Sequence, residues 1–273
     1  MVLPSFFMKF KAVFFDLDGT IVHPSFELAK EALGLCLALK EKGMKLGVAT
    51  GRSFLSAKPY LKALQVIDAG VFSNGAVIEN PFTQKIELIQ AIPGKEASLL
   101  TEILRKEEYS FRFQTLEGTL YHYGTTHWPE YEYAQDPAFH EGLVGQEAIK
   151  VIILCDEKGI KTSARLLASF EKYPDLMGKV RFFKSAGYAL EACHWSISKW
   201  TGIEIFLKAW NIEAKEVITV GDQENDLDMI KNAGYGISVL GGYDGNHNFS
   251  KFKITPPEKG GVRILAHKLL SDL

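Results

Sequence analysis

The stretch Ala12-Val13-Phe14-Phe15-Asp16-Leu17-Asp18-Gly19-Thr20 ends an apolar run on two carboxylates one residue apart, followed by a glycine and a hydroxyl. A short continuous run rich in aromatic and β-branched residues suits a strand covered on both faces. The C-terminal end of such a strand is where open parallel sheets hold ligands. Alternation along the strand sends Asp16 and Asp18 to one side, with Leu17 opposite. Two anions so close repel unless a cation lies between them, which predicts a hard, oxygen-bound metal such as Mg²⁺. Asp-Gly-Thr is also ordinary turn chemistry, so the stretch taken alone leaves a helix cap or a turn open.

The surrounding chain has 273 residues, 47% hydrophobic and 23% charged, with a formal net charge of -2. That length holds one large domain or two modest ones, either able to bury a core. The charge balance offers no basic excess for nucleic acid and no acidic tail. Cys36, Cys155 and Cys193 are widely spaced without a CxxC pattern, which favours reduced, buried thiols and a cytoplasmic setting. The apolar start, residues 1–7, is too short for a secretory core and runs into Lys9 and Lys11, which argues against a signal peptide. Met8, just before the strand, leaves that start open as an extension or an upstream initiation. No run approaches the roughly 20 apolar residues of a membrane span.

Downstream, apolar spacing predicts a helix from Phe26 to Lys42 closed by Gly43, then a strand Lys45–Ala49 that delivers Thr50-Gly51-Arg52-Ser53. A helix from Ser53 to Leu64 and a strand Ala69–Ser73 follow, with a turn at Asn74-Gly75. Strand and helix in alternation argue for a parallel sheet with right-handed crossovers. From Pro81 the pattern changes to a helix over 95–107, a hairpin around Glu117-Gly118, a strand Lys150–Cys155, a helix over 160–172 and a second hairpin, Val180–Phe183 with Tyr188–Glu191. The parallel pattern returns with a helix Trp200–Trp210, strands Glu216–Val220 and Tyr235–Val239, and a closing helix Gly261–Leu270. The expected fold class is α/β, a Rossmann-like parallel-sheet core with an inserted α+β cap domain. Residues 1–82 and 192–273 form the discontinuous core and 83–191 the insert, a lid over the ligand edge.

Four clusters fall at the expected strand ends or helix starts: Asp16-Leu17-Asp18, Thr50-Gly51, Ser198-Lys199, and Gly221-Asp222-Gln223-Glu224-Asn225-Asp226. Their order and types resemble the four motifs of the haloacid dehalogenase (HAD) superfamily, with hhhhDxDGT and GDxxND the most specific, and the resemblance spans nearly the whole chain. An insert between the second and third motifs is similar to that of the Cof-like subgroup, with its type IIB lid, whose members hydrolyse small phosphorylated metabolites.

The resemblance implies a Mg²⁺-dependent phosphomonoesterase. Asp16 would attack phosphorus and form an aspartyl-phosphate, and Asp18 would protonate the leaving oxygen and later deprotonate water. Thr50 and Gly51 would seat the phosphate, Gly51 by an open N–H at a helix start, with the Leu17 N–H assisting. Lys199 would balance charge on the phosphoryl oxygens. Asp16, Asp222 and the Asp18 carbonyl would hold Mg²⁺; Asn225 would touch phosphate or substrate, and Asp226 would orient Lys199 or a metal-bound water from behind. Thr50 as a plain N-cap and Lys199 as a solvated lysine are the competing readings. Relatives often follow that lysine with glycine where this chain has Trp200-Thr201-Gly202, and residues 238–245 replace an alanine-rich stretch usual in the subgroup.

Arg52 reads equally as a substrate contact or a salt bridge, and Asn74-Gly75 as a pocket wall or a hairpin turn. Arg112, His122, Trp128, His140 and Arg181 are candidates for substrate choice within the insert, each also at home on a surface or in a core. The expected partner is a small phosphorylated metabolite, with no nucleic acid and no membrane. A phosphotransferase that passes the phosphoryl group to a sugar hydroxyl, and a silent ligand-binding protein on the same fold, are the alternatives.

Overall fold

In a computed structural model, which describes residues 10–65, 67–80, 82–124, 137–156, 162–186 and 189–271, the chain divides into two compact units. One comprises Met1–Glu87 and Ser198–Leu273, the other Leu88–Ile197. The first begins with β1 (Ala12–Phe15), α1 (Ala32–Glu41), β2 (Lys45–Ala49), α2 (Phe54–Leu64), β3 (Ala69–Phe72), β4 (Val77–Glu79) and β5 (Ile86–Leu88). The second contains α3 (Gly94–Lys106), β6 (Phe111–Gln114), β7 (Leu120–Tyr123), β8 (Lys150–Leu154), α4 (Ser163–Phe170), α5 (Pro174–Met177), β9 (Val180–Ala186) and β10 (Ala189–His194). The first resumes with α6 (Lys199–Trp210), β11 (Val217–Gly221), α7 (Leu227–Asn232), β12 (Tyr235–Val239), α8 (Asp244–His247), β13 (Phe252–Ile254) and α9 (Gly261–Ser271).

The sheet of the first unit runs β13-β12-β11-β1-β2-β3-β4-β5. Pairing is parallel from β13 through β3, and β4 returns antiparallel to β3. From β1 the chain order moves outward in both directions, so β1 sits at the switch point, where two neighbouring connections leave on opposite sides and open a crevice at the strand ends. All four β1 residues are buried, as a strand covered on both faces requires. Phe14 stacks on Trp210 with centroids 6.0 Å apart and packs near Phe206, which ties α6 to the sheet beside the site.

In the second unit the antiparallel order is β7-β6-β8-β10-β9. Alternation divides its side chains. Phe111, Phe113, Val151, Ile153, Leu190 and Ala192 join α3 and α4 in an apolar core. On the opposite face, paired positions set His122, Arg112, Ile152, Glu191 and Phe183 in one row.

Several boundaries differ from expectation. The first helix starts at Ala32 rather than Phe26, because the preceding chain spends its backbone donors on local turns: Thr20, Ile21 and Val22 N–H all bond the Leu17 carbonyl, and Phe26 has a φ of 63°. The unit boundaries fall after Glu87 and Ile197 instead of after 82 and 191. At the first, β4 and β5 still belong to the large sheet, and at the second, β10 continues to His194. Residues 1–9, Trp128 and Tyr188 lie outside the described residues. Among those described, no helix is long and apolar enough to cross a membrane.

Candidate active site

The strand ends around the switch point bring together groups far apart in sequence. Just past β1, Asp16 is 4% exposed, and its Oδ1 accepts from Lys199 Nζ at 2.6 Å. Lys199 opens α6, whose Ser198 side chain caps the helix by accepting from the Thr201 N–H while the Thr201 hydroxyl accepts from the Ser198 N–H. That reciprocal box fixes where the helix begins and therefore where the lysine points. Its ammonium donates also to Asp226 Oδ1 at 2.6 Å. The other oxygen of Asp226 accepts from the backbone N–H groups of Asp222 and Gln223, at 2.8 and 2.9 Å. Asp226 thus orients both the lysine and the loop that carries Asp222.

Asp222 receives hydrogen bonds from Thr20 Oγ1 at 3.3 Å and Gln223 Nε2 at 2.8 Å. Gly19, with φ at 76°, lies so close that a Cβ there would stand 2.4 Å from Asp222 Oδ2. The glycine after the carboxylate pair is therefore required by its conformation and by the approach of a third carboxylate.

Charge at this centre is unbalanced. Burial, opposed by Lys199 and reinforced by Asp226, Asp222 and Asp18, pushes Asp16 well above the usual carboxylate range. Burial and then Asp226 push Asp222 up to about 7. Burial alone would lower Lys199, but Asp16 and Asp226 outweigh it and hold the lysine above its ordinary value. One ammonium therefore serves three carboxylates. Asp16, Asp222 and Asp226 each offer an oxygen within 4.8 Å of the others, an all-carboxylate set that fits a hard divalent cation. Asp226 meets the ammonium with one oxygen and two backbone N–H groups with the other, whereas Asp222 is met only by the neutral Thr20 hydroxyl and Gln223 amide and Asp16 shares the single ammonium.

Asp18 lies beyond the end of the strand, near enough for its charge to add to the upward push on Asp16. The strand ends at Phe15 and the backbone turns at Leu17. Asp18 is held by a two-pronged pair with Arg52, Nε to Oδ2 at 2.7 Å and Nη2 to Oδ1 at 2.5 Å. The Arg52 guanidinium lies over the Tyr60 ring, 4.8 Å from its centroid. The salt bridge expected as one reading of Arg52 is therefore present.

Thr50, fully buried, ends β2 and accepts the Arg52 N–H at its hydroxyl, 3.1 Å. The cap of α2 is Ser53, not Thr50, so Gly51 precedes the cap rather than opening the helix as expected. Asn225 donates through Nδ2 to Asn74 Oδ1 at 3.0 Å, which joins the loop after β11 to the Ser73–Gly75 turn after β3. Ser73 and Asn74 both have left-handed φ, 47° and 59°, and both are fully buried. In the second unit, Arg112 is buried, His122 and Arg181 are half-buried, and His140 is exposed with its ring against Tyr121. The buried pair Lys150–Glu191, 2.9 Å, was not anticipated. A charged residue at a buried strand position was its only signal.

The centre is thus a parallel sheet's acid-rich strand ends gathered around buried Lys199 at the switch point. The chain belongs to the haloacid dehalogenase-like hydrolase family, whose family model matches residues 13–264. It is similar to the 5-amino-6-(5-phospho-D-ribitylamino)uracil phosphatase YitU of Bacillus subtilis, 21% identical over 90% of this chain and 93% of that protein. It is also similar to the HMP-PP phosphatase of Serratia proteamaculans, 24% identical over 83% of this chain and 82% of that protein. Among solved structures, the HAD subclass IIB sugar phosphatase BT4131 superposes with a TM-score of 0.81 at 19% identity, covering 96% of this chain and all of that one. The expected HAD-type enzyme with a parallel core and a second, antiparallel sheet is thereby met.

Proposed function

We propose that the chain is a Mg²⁺-dependent phosphomonoester hydrolase acting on a small phosphorylated metabolite through an aspartyl-phosphate on Asp16. The single observation that supports this most is Lys199 Nζ, 1% exposed and shared at 2.6 Å between Asp16 and Asp226. A buried charge held so tightly is costly unless it serves a site that must receive more anions.

In this reading Asp16, Asp222 and the Asp18 carbonyl would hold Mg²⁺, which would supply charge to offset repulsion between the nucleophile and the phosphate dianion. Lys199 fixes Asp16 Oδ1, leaving Oδ2 to bond to phosphorus as the ester P–O bond breaks. The departing oxygen takes a proton from Asp18. Water then attacks the aspartyl-phosphate, Asp18 takes back a proton, and the P–Oδ2 bond breaks to regenerate Asp16 and release inorganic phosphate. Asp18 must part from Arg52 to carry these protons. The Thr50 hydroxyl, the Gly51 and Leu17 N–H groups and Lys199 receive the phosphoryl oxygens, with Asn225 at the substrate.

The second unit, residues 88–197, sets substrate choice in this proposal. Support comes from its sheet, which carries Arg112, Gln114, Lys150 and Glu191 as buried polar groups rather than a solvated face. The diversity of substrates named for relatives on this fold agrees with choice residing outside the core.

The test is turnover of p-nitrophenyl phosphate with and without Mg²⁺, in wild type and Asp16→Asn. Metal-dependent turnover in the wild type that falls below detection in the variant is expected. Equal turnover by the two proteins would overturn the assignment of the nucleophile, and none from either would overturn the enzyme.

A further inference from the structure

The loop after β12 packs against the segment that carries Asp222. Asp222 and Gln223 have four backbone polar groups, and every one is held. Their two N–H groups donate to Asp226 Oδ2. The Asp222 carbonyl accepts from the Tyr243 N–H at 2.7 Å, and the Gln223 carbonyl from Asn246 Nδ2, also at 2.7 Å. Asp226 grips the segment from one side and residues 243–246 from the other.

Two features show how closely this second grip is built. Gly242 lies against the segment so tightly that a Cβ there would stand 2.1 Å from the Asp222 carbonyl oxygen. Asn246 is fully buried, and its Oδ1 has no hydrogen-bond partner among the described residues. An unmade bond at a buried carbonyl oxygen costs about 1–3 kcal/mol. A side chain that only filled space could be apolar and avoid that cost, so its donor to Gln223 is the group in use. The short helix α8 bearing Asn246 is itself pinned from behind: Ser238 Oγ meets both His247 Nδ1 and Ser250 Oγ at 2.8 Å.

We infer that Asn246, with Gly242 beside it, is a positioning residue that fixes the Asp222–Gln223 backbone and thereby holds the Asp222 carboxylate ready for a divalent cation. The inference rests on the metal reading proposed above, which Asn246 itself never touches. Groups that orient a metal ligand without contacting the metal change its affinity by about 10–100-fold when removed.

The experiment titrates Mg²⁺ into the metal-free full chain and follows the melting temperature, which reports binding independently of turnover. Asn246→Leu keeps the branched shape, at somewhat larger volume, and removes the donor; Gly242→Ala displaces the same segment from its other contact. Each is expected to raise the half-saturating Mg²⁺ concentration about tenfold, with KM for p-nitrophenyl phosphate at saturating Mg²⁺ changed less than twofold. Leu240→Ala, an exposed side chain of the same loop, is expected to leave both unchanged. Should Asn246→Leu fail to fold, Gly242→Ala carries the test alone. Variants that melt lower without Mg²⁺ yet keep the wild-type Mg²⁺ midpoint would show a purely structural role and overturn the inference. A wild type indifferent to Mg²⁺ would overturn the metal reading itself, and this inference with it.

Discussion

Asp222→Asn is expected to make the metal-free protein more stable while abolishing its response to Mg²⁺. Burial and Asp226 push Asp222 up to about 7 from an ordinary 3.8. At about 1.4 kcal/mol per unit, ionising that group in the folded chain at pH 8 costs about 4 kcal/mol of stability. The amide removes the charge but weakens the bonds from Thr20 and Gln223, a loss of about 1–2 kcal/mol. The net gain is about 2–3 kcal/mol, or roughly 5 °C or more in Tm for a chain of this size. A group whose folded pKa is raised stabilises the fold below its unfolded pKa, and that contribution is lost as pH climbs toward the folded value. The advantage of the variant should therefore be full at pH 8, nearly gone at pH 5, and reversed by roughly 1 kcal/mol at pH 4, where the weakened bonds outweigh what remains of the ionisation cost. Thermal melts in EDTA across that range, repeated with excess Mg²⁺, measure all of it. A variant melting at or below wild type in EDTA at pH 8, or a gap indifferent to pH, would refute the reasoning.

Lys199→Met should act in the opposite direction, because it strips the one ammonium from buried Asp16 and Asp226. Removing one partner of a buried pair costs about 3–5 kcal/mol, and melts should show a smaller loss at pH 5 than at pH 8, since protonated carboxylates need no counter-charge. Arg52→Ala releases Asp18 from a partly exposed pair, so its stability cost should stay near 1 kcal/mol or below. Asp18→Asn should lower kcat at least tenfold more for an alkyl phosphate, whose leaving oxygen needs a proton, than for p-nitrophenyl phosphate; equal losses would remove Asp18 from proton transfer.

The elements legible in the sequence were those that local pattern dictates. The run Ala12–Phe15 announced a doubly covered strand, and the apolar pattern of Trp200–Trp210 announced the helix that follows Lys199. Where the strand stops was not legible, because the turn at Leu17 depends on three N–H groups folding back on one carbonyl, and period-two alternation cannot register that. Pairings such as Asp18–Arg52 and Asn74–Asn225 join residues 34 and 151 positions apart, and no periodicity reports them. The loop at 240–247 showed only as a departure from a familiar pattern. Its grip on Asp222 emerges from spatial neighbours alone.

The central position of β1 imposes an order on synthesis. One edge of that strand pairs with β2, which follows within a few dozen residues, but the other waits for β11, Val217–Gly221. Until then a nascent chain carries Ala-Val-Phe-Phe with an open edge, the kind of segment that recruits foreign strands. Leu88–Ile197 is contiguous and emerges within that interval, so it can fold while the large sheet is still half made. Asp16, Lys199 and Asp222 then meet only when the last quarter of the chain arrives, and no earlier fragment holds all three.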